Sequence, residues 1–178
     1  PNRLYEQFGT AQAGAPAQAQ TTQKPPIALL DAGADQKLLE DVLLYTKNML
    51  RSPYEPEAHG TGVVYVASST GKRKVALYRV CSKGMCEGWA ILRALADAYR
   101  QGIRIINMSF GTEEEDRLLA YLIKFMSAQG FVFFAPVGNQ EDQKLPFPAR
   151  LEDVVSVAGD PCFPKGLCLR ARARAPYR

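Results

Sequence analysis

The sequence predicts an α/β fold, namely a doubly wound, mainly parallel sheet with helices on both faces. Short apolar runs recur along the 178 residues, and segments with apolar residues at helical spacing lie between them. Parallel strands that are buried on both faces have such runs, and right-handed crossovers connect strands that alternate with helices. The strands predicted in this way span residues 27–30, 75–80, 103–110, 131–135 and 154–158.

The predicted helices follow from apolar spacing and from residues that begin or end helices. His59 begins one helix that continues through the apolar run 63–67, and a second helix spans 89–99 and ends near Gly102. Residues 112–115 (TEEE) predict a cap with acidic residues on the first turn of a third helix, whose body is 118–128. Residues 36–50 fit either a helix or a helix followed by a strand, and the sequence leaves both open.

The composition divides the chain into one domain, residues 27–160, and two flanking segments. Residues 1–26 are rich in Ala, Gln, Thr, Gly and Pro, which predicts an N-terminal arm and linker. Residues 161–178 predict a cysteine-containing loop and an arginine-rich tail. The net charge of +4 comes largely from the four arginines of this tail, so a nucleic-acid partner is not expected. No apolar run reaches the roughly 18–20 residues that span a bilayer, so no membrane span is expected either.

The four cysteines form two close pairs, Cys81 with Cys86 and Cys162 with Cys168. Two small disulfide loops of this kind suit an exported protein, so we expect a periplasmic or extracellular location. A zinc site needs thiolates and imidazoles that converge, and the chain has a single histidine. We therefore expect no metal and no cofactor.

Three polar residues lie at predicted strand ends or helix starts and could act together. Asp31 follows the first strand, His59 begins a helix, and Asn139 follows the strand 131–135. A lone histidine is more often structural, but an aspartate can hold it in the tautomer that acts as a base. An asparagine amide can donate to a developing oxyanion. This set suggests acyl transfer with a serine nucleophile.

These residues lie in segments that resemble the subtilisin-like serine proteases. Residues 27–33 (IALLDAG) are similar to the strand that carries the family's catalytic Asp, and residues 59–61 match its HGT motif, although Gly62 stands where a second His is usual. Three further segments follow in the family's order. They are 105–111 (IINMSFG), similar to INMSLG; 135–139 (APVGN), similar to AAGN; and 147–149 with 154–160, similar to the YPA…VIAVGAVD stretch.

The resemblance implies roles for individual residues. Asp31 and His59 would be two members of the catalytic triad, and Asn139 the oxyanion-hole residue. An extended peptide or protein substrate would pair with two backbone segments, by strand addition. These segments consist of Ser82, Lys83 and Gly84, and of Ser109, Phe110 and Gly111. The primary specificity pocket would be lined by Ala135, Pro136, Val137 and Gly138, and narrowed by Pro136 and Val137. A cis Phe147–Pro148 bond and hydrogen-bond contact between Asp31 and His59 are also expected.

The resemblance stops before the family's serine nucleophile. No serine or threonine follows Ser156, and Ser109 corresponds to a substrate-binding segment. The family's final strand and serine-bearing helix would be missing too, which predicts an exposed apolar face that a second chain or a C-terminal segment covers. We expect the 178-residue chain to be inactive as it stands. Three interpretations remain open: part of a genuine peptidase, a pseudoprotease that binds peptides, or an unrelated α/β binding module.

Overall fold

A computed structural model describes residues 24–69, 73–138 and 145–158, together with the backbone of residues 159–160 and 168–170. The strands are β1 (Ile27–Asp31), β2 (Leu43–Asn48), β3 (Val75–Arg79), β4 (Cys81–Ser82), β5 (Met85–Cys86), β6 (Ile105–Met108), β7 (Val132–Pro136), β8 (Val154–Asp160) and β9 (Cys168–Arg170). The helices are α1 (Ala58–Ser69), α2 (Gly88–Arg100) and α3 (Arg117–Ser127).

The central sheet of the described chain has the order β2-β3-β1-β6-β7-β8-β9. Neighbouring strands from β2 to β8 are parallel, and β9 joins the edge antiparallel to β8. The strand order reverses at β1, because the chain continues to β2 and β3 on one side and to β6 through β8 on the other. Open α/β sheets bind their ligands at the carboxyl ends of strands beside such a reversal. Asp31, the last residue of β1, lies at this position.

Helices cover both faces of the sheet, as predicted. Ala28 and Leu30 of β1 pack in one apolar cluster with α2 and α3. Leu29 packs on the opposite face, where Val64 of α1 joins it. A strand turns alternate side chains to opposite faces, so an uninterrupted apolar run gives β1 two buried sides. The predicted fold class is therefore confirmed.

The start of α3 differs from the prediction. Asp116 caps this helix, since its carboxylate accepts hydrogen bonds from the backbone N–H groups of Leu118 and Leu119 at 2.9 and 3.0 Å. Thr112 lies before the helix, where its backbone exchanges two hydrogen bonds with Phe147. The acidic residues 113–115 therefore precede α3 rather than form its first turn, and the predicted cap at Thr112 was wrong. The backbone of Thr112 is paired with Phe147 in a β-bridge instead of starting the helix.

Residues 36–50 also show how tertiary contacts decide an ambiguous segment. Residues 36–42 form turns, and β2 follows as an outer strand paired with β3. The possible helix in this segment is therefore absent. Leu39 is buried on the α1 face of the sheet, which ties the turns to the core. The backbone pairing with β3 lies outside the segment and cannot be read from its own periodicity.

A polar network centred on the buried Tyr78 and Asp97 joins β2 and β3 to α2. The Tyr78 hydroxyl donates to Asp97 at 2.9 Å and lies 2.6 Å from the Tyr45 hydroxyl. Lys47 and Arg100 donate to the same carboxylate at 2.6 and 3.2 Å. Burial, together with these hydrogen bonds, raises the pKa of Tyr78 far above its usual range. Burial alone would raise the pKa of Asp97, but the bonds from Lys47, Tyr78 and Arg100 outweigh it and the pKa is lowered.

Replacing Asp97 by Asn is expected to lower the free energy of unfolding by about 2 kcal/mol at about pH 7, because three donors lose a charged acceptor. The lowered pKa means that this contribution is present above the unfolded-state pKa of 3.8 and is lost as the pH falls through the folded-state pKa. Urea unfolding followed by circular dichroism at neutral and acid pH measures it. A stability difference that stays constant down to about pH 2 would contradict this assignment.

Candidate active site

Asp31 is held rigidly at the carboxyl end of β1. The residue is only 2% exposed, and its Oδ1 accepts a hydrogen bond from the backbone N–H of Ala32 at 2.6 Å. Oδ1 also lies 2.8 Å from Nδ1 of His59, 28 positions along the chain. Oδ2 is buried and has no hydrogen-bond partner within the described residues. The predicted contact between Asp31 and His59 is therefore present.

His59 reaches Asp31 because two glycines let the backbones of α1 and the β1 loop come close together. A Cβ on Gly60 would lie 2.6 Å from the carbonyl oxygen of Ala32 and closer still to that of Gly33. A Cβ on Gly33 would overlap the carbonyl oxygen of Glu55. No other residue type fits these two places without a backbone shift. The glycines of the two sequence motifs thus bring the acid and the imidazole together.

The imidazole is accessible to other molecules. The His59 side chain is 64% exposed, whereas that of Asp31 is 2% exposed. With Nδ1 directed at a buried carboxylate, the favoured tautomer carries its proton on Nδ1 and leaves Nε2 as an acceptor. Such a histidine can remove a proton from a nucleophile that approaches Nε2. The pair has the geometry of a general base with its orienting acid.

A small hairpin, β4 and β5, lies beside this pair. Its strands are joined by the disulfide Cys81–Cys86, which confirms that predicted bond. The pair Cys162 and Cys168 lies outside the residues whose side chains are described. Lys83 and Gly84 form the turn with φ values of 51° and 79°. Ser82 ends strand β4, whereas the positive φ values turn the backbone at Lys83 and Gly84. The pairing of residues 82–84 with substrate stays a prediction.

Two charged residues that the sequence did not single out hold the loops around the site. The carboxylate of Glu57 accepts the backbone N–H of Lys83 at 3.2 and 3.3 Å, which ties the start of α1 to the hairpin. Arg79 is 1% exposed and donates to the Pro53 carbonyl at 2.7 Å and to Ser82 Oγ at 3.1 Å. An arginine at the end of the apolar run 75–80 was the available signal, because a buried guanidinium requires several acceptors.

The carboxyl ends of β6 and β7 form a second part of the site. Ser109 donates its backbone N–H to the Leu30 carbonyl at 3.1 Å, so the segment that follows β6 begins beside β1. Beyond it a cavity of about 210 Å³ opens between the two strand ends. Its lining consists of Gly111, Thr112, Glu113, Pro136, Val137, Gly138 and Pro146.

Three of the four residues predicted to line the specificity pocket line this cavity. Pro136, Val137 and Gly138 line it, whereas Ala135 is buried in the sheet at 1% exposure. Phe110 is half-buried and packs against the core cluster. Asn139, the expected oxyanion donor, lies outside the described residues. The Phe147–Pro148 bond is cis, as expected.

The described part of the chain offers neither a metal cluster nor a membrane-spanning helix. It contains no group of three or more His, Cys, Asp or Glu side chains that could hold a metal ion. None of its helices has the length and apolar character needed to cross a membrane.

The sequence model of the subtilase family matches residues 27–160, which is most of the chain. This chain belongs to the subtilase family. The match extends from β1 to β8 and includes Asp31, His59 and the cavity between β6 and β7. No curated protein matches the chain.

Solved subtilase structures share the fold of this subtilase. A lanthipeptide protease superposes with a TM-score of 0.60 at 22% identity, over 74% of this chain and 47% of that one. The nisin leader peptidase NisP from Lactococcus lactis gives a TM-score of 0.60 at 20% identity, over 78% and 56%. The psychrophilic protease Apa1 from Pseudoalteromonas sp. AS-11 gives 0.60 at 18% identity, over 74% and 35%. This subtilase chain thus spans about half the length of such relatives, or less.

Replacing Asp31 by Ala is expected to shift the neutral imidazole of His59 from the Nδ1–H tautomer to the Nε2–H tautomer, which predominates when no acceptor faces Nδ1. His59 is the only histidine, so long-range proton–nitrogen correlation spectra at alkaline pH report this residue alone. Replacing the exposed Asp41 by Ala is the control and should leave the tautomer unchanged. An Nδ1–H tautomer that persists without Asp31 would rule out the orienting role.

Replacing Gly60 by Ala is expected to lower the free energy of unfolding by about 2–3 kcal/mol, because the new methyl group meets backbone atoms that cannot move aside. Gly62 is a matched control in the same helix, where an added Cβ meets nothing within 4 Å. Replacing Gly62 by Ala should raise stability by about 0.5–1 kcal/mol through helix propensity. Thermal and urea unfolding compare the two variants, and equal effects would contradict the close-approach argument.

Proposed function

We propose that this chain is the part of a subtilisin-like serine endopeptidase that carries the acid and the base for peptide-bond hydrolysis. The observation that carries the proposal is the 2.8 Å contact between Asp31 and the exposed His59 at the carboxyl end of β1. The buried carboxylate orients the imidazole, and Nε2 is left to take the proton of a serine hydroxyl. Asn139, which follows the strand end that lines the cavity, would donate to the oxyanion by resemblance to the family.

The nucleophile must come from outside the 178 residues in this proposal. No serine or threonine follows Ser156 in the sequence, and Ser156 itself is buried within β8 at 5% exposure. The hydroxyl of Ser109 accepts a hydrogen bond from the Asn107 amide at 2.8 Å, in the segment with which substrate would pair. Removing one triad member leaves little catalysis, because the three act as a unit. The chain by itself would then be inactive.

An exposed apolar surface on α1 supports the presence of a further segment or chain. Tyr65 is 65% exposed and Leu38 is 73% exposed, although both are large apolar side chains. They line an open groove of about 510 Å³ that also reaches Ala58 and Gly62, next to His59. Exposed apolar patches of this kind mark surfaces that another part of a protein covers. A segment that packs on α1 at this place would bring its side chains close to the imidazole.

The substrate would be an extended peptide or protein. Several structural neighbours act on peptides by name, including a leader peptidase for nisin and a protease that processes the epidermin leader peptide. The disulfide Cys81–Cys86 fits an exported protein, because such bonds persist in oxidising compartments. We therefore propose an exported enzyme that cuts peptide chains.

The alternative function is that of a pseudoprotease, which binds peptide without cutting it. The described site is compatible with it, since the cavity and the Asp31–His59 pair do not themselves require the nucleophile. The two functions differ only in whether a reactive serine joins the site. They therefore make opposite predictions for a serine-directed reagent.

Labelling with a fluorophosphonate probe separates these functions. We expect no labelling of the 178-residue chain, and labelling of a longer native form that carries the downstream sequence. Replacing His59 by Ala in the longer form should abolish the labelling, because the serine loses its base. Absence of labelling in both forms would instead support the pseudoprotease. Labelling of the 178-residue chain itself would show that the nucleophile lies within it and would overturn the proposal as stated.

A further inference from the structure

Three charged side chains are buried in the described part of the chain, and two of them lack a permanent counter-charge. They are Asp31, Arg79 and Asp97, at 2%, 1% and 8% exposure. Asp97 forms ion pairs with Lys47 and Arg100. Among the described residues, neither Asp31 nor Arg79 has a direct ion pair with a permanently charged side chain. A buried charge is costly unless hydrogen bonds or an opposite charge offset it.

The contacts of Asp31 and Arg79 are with neutral groups. Oδ1 of Asp31 lies 2.8 Å from Nδ1 of His59, and an imidazole is uncharged while it serves as a base. The Arg79 guanidinium donates to the Pro53 carbonyl at 2.7 Å and to Ser82 Oγ at 3.1 Å. Within the described residues, Oδ2 of Asp31 and Nε of Arg79 are both buried without a hydrogen-bond partner. One atom is an acceptor and the other a donor, so the two side chains are complementary in charge and in hydrogen bonding.

The sheet places these two side chains next to each other. Asp31 and Arg79 are register partners on the adjacent parallel strands β1 and β3. Leu29 and Leu77, two residues earlier on each strand, both pack on the α1 face of the sheet. Alternate residues of a strand share a face, and neighbouring strands lie about 4.8 Å apart. The carboxylate and the guanidinium therefore start from adjacent places on one face, at the edge where the site lies.

Asp97 lies on the other face of the sheet and does not compete for Arg79. It accepts a hydrogen bond from Tyr78, whose ring belongs to the apolar cluster formed with α2 and α3. The sheet thus separates Asp97 and its cations from Asp31 and Arg79. Charges that are buried away from water and salt are screened much less than charges on the surface. Attraction between Asp31 and Arg79 therefore acts without direct contact.

We propose that Arg79 is a positioning residue of the Asp31–His59 pair, and that its buried guanidinium is the counter-charge of the Asp31 carboxylate. The same guanidinium bonds Pro53, in the loop before His59, and Ser82, in the hairpin, so it is fixed from three sides of the site. The consequence for catalysis rests on the proposed function. A charged Asp31 stabilises the imidazolium that forms when Nε2 takes a proton. Arg79 is buried and acts on this step through Asp31.

A double-mutant cycle on the 178-residue chain tests the proposal. Asp31→Asn and Arg79→Met each remove one charge and leave the other buried, so each should destabilise the fold. The double variant removes both charges. Its unfolding equilibrium constant in urea at neutral pH is expected to be about tenfold smaller than the product of the two single effects predicts. Asp41→Asn, which changes an exposed carboxylate, is the matched control and should combine additively with Arg79→Met.

Arg79→Lys separates the charge from the hydrogen bonds. Lysine keeps the cation but lacks the planar set of donors that the loops accept from arginine. The effect of Asp31→Asn on stability should therefore be as large in the Arg79→Lys background as in wild type, and smaller in the Arg79→Met background. A purely structural role predicts that the Lys and Met backgrounds behave alike, and that result would overturn the counter-charge.

The Nε–H resonance of Arg79 gives a readout that does not need the double variant to fold. Proton–nitrogen spectra should show this resonance displaced by Asp31→Asn and unchanged by Asp41→Asn. An Nε–H resonance that does not respond to Asp31→Asn, or additive effects in the cycle, would contradict the proposal. Such a failure would leave the endopeptidase function standing, because fluorophosphonate labelling of the longer form tests that function separately. Coupling without labelling of either form would support the counter-charge and remove its catalytic consequence.

Discussion

The close backbone approach between the start of α1 and the carboxyl end of β1 is the constraint on which the rest of the site depends. It requires glycine at positions 33 and 60, because a side chain at either would collide with main-chain carbonyls. With that approach in place, Asp31 and His59 meet at 2.8 Å although 28 positions separate them. The sheet supplies the fixed partner in this contact. Asp31 lies where the strand order reverses, so its neighbours on both sides are parallel strands that end at the same edge.

Around this contact, irregular segments are held by charged groups rather than by secondary structure. Arg79 is a register neighbour of Asp31 in the sheet and is almost completely buried. Its guanidinium bonds carbonyl and hydroxyl oxygens of the surrounding loops and has no carboxylate partner within the described residues. Glu57 acts similarly for the disulfide-closed hairpin. A buried cation costs much free energy unless it is hydrogen-bonded, so the bonds from the terminal nitrogens stabilise both Arg79 and these loops. Its buried Nε has no partner within the described residues. The loop that precedes His59 is therefore held in place although it contains no strand or helix.

The described residues provide an acid, a base and a cavity between the ends of β6 and β7. The helix that carries the base also has an exposed apolar surface. This combination explains why the family match and the missing serine are compatible. The sheet core is built from residues that precede the expected serine segment, and both of its faces already bear helices. The cavity between the ends of β6 and β7 can therefore form while the surface of α1 stays open to a further segment. Whether such a segment brings a nucleophile is what distinguishes an endopeptidase from a binding module.

The sequence by itself determined the features that depend on local composition. Apolar runs identified β1, β3, β6, β7 and β8, and the motifs around Asp31 and His59 identified the acid and the base together with the glycines they need. Tertiary structure decided the rest. Residues 36–50 form turns and a strand because β3 offers a pairing edge. Thr112 does not cap α3 because its backbone pairs with Phe147, which lies 35 positions away in the sequence. The roles of Arg79 and Glu57 likewise depend on partners from other segments. Local periodicity reports which face of an element is buried, but a contact between distant segments exists only after the chain has folded.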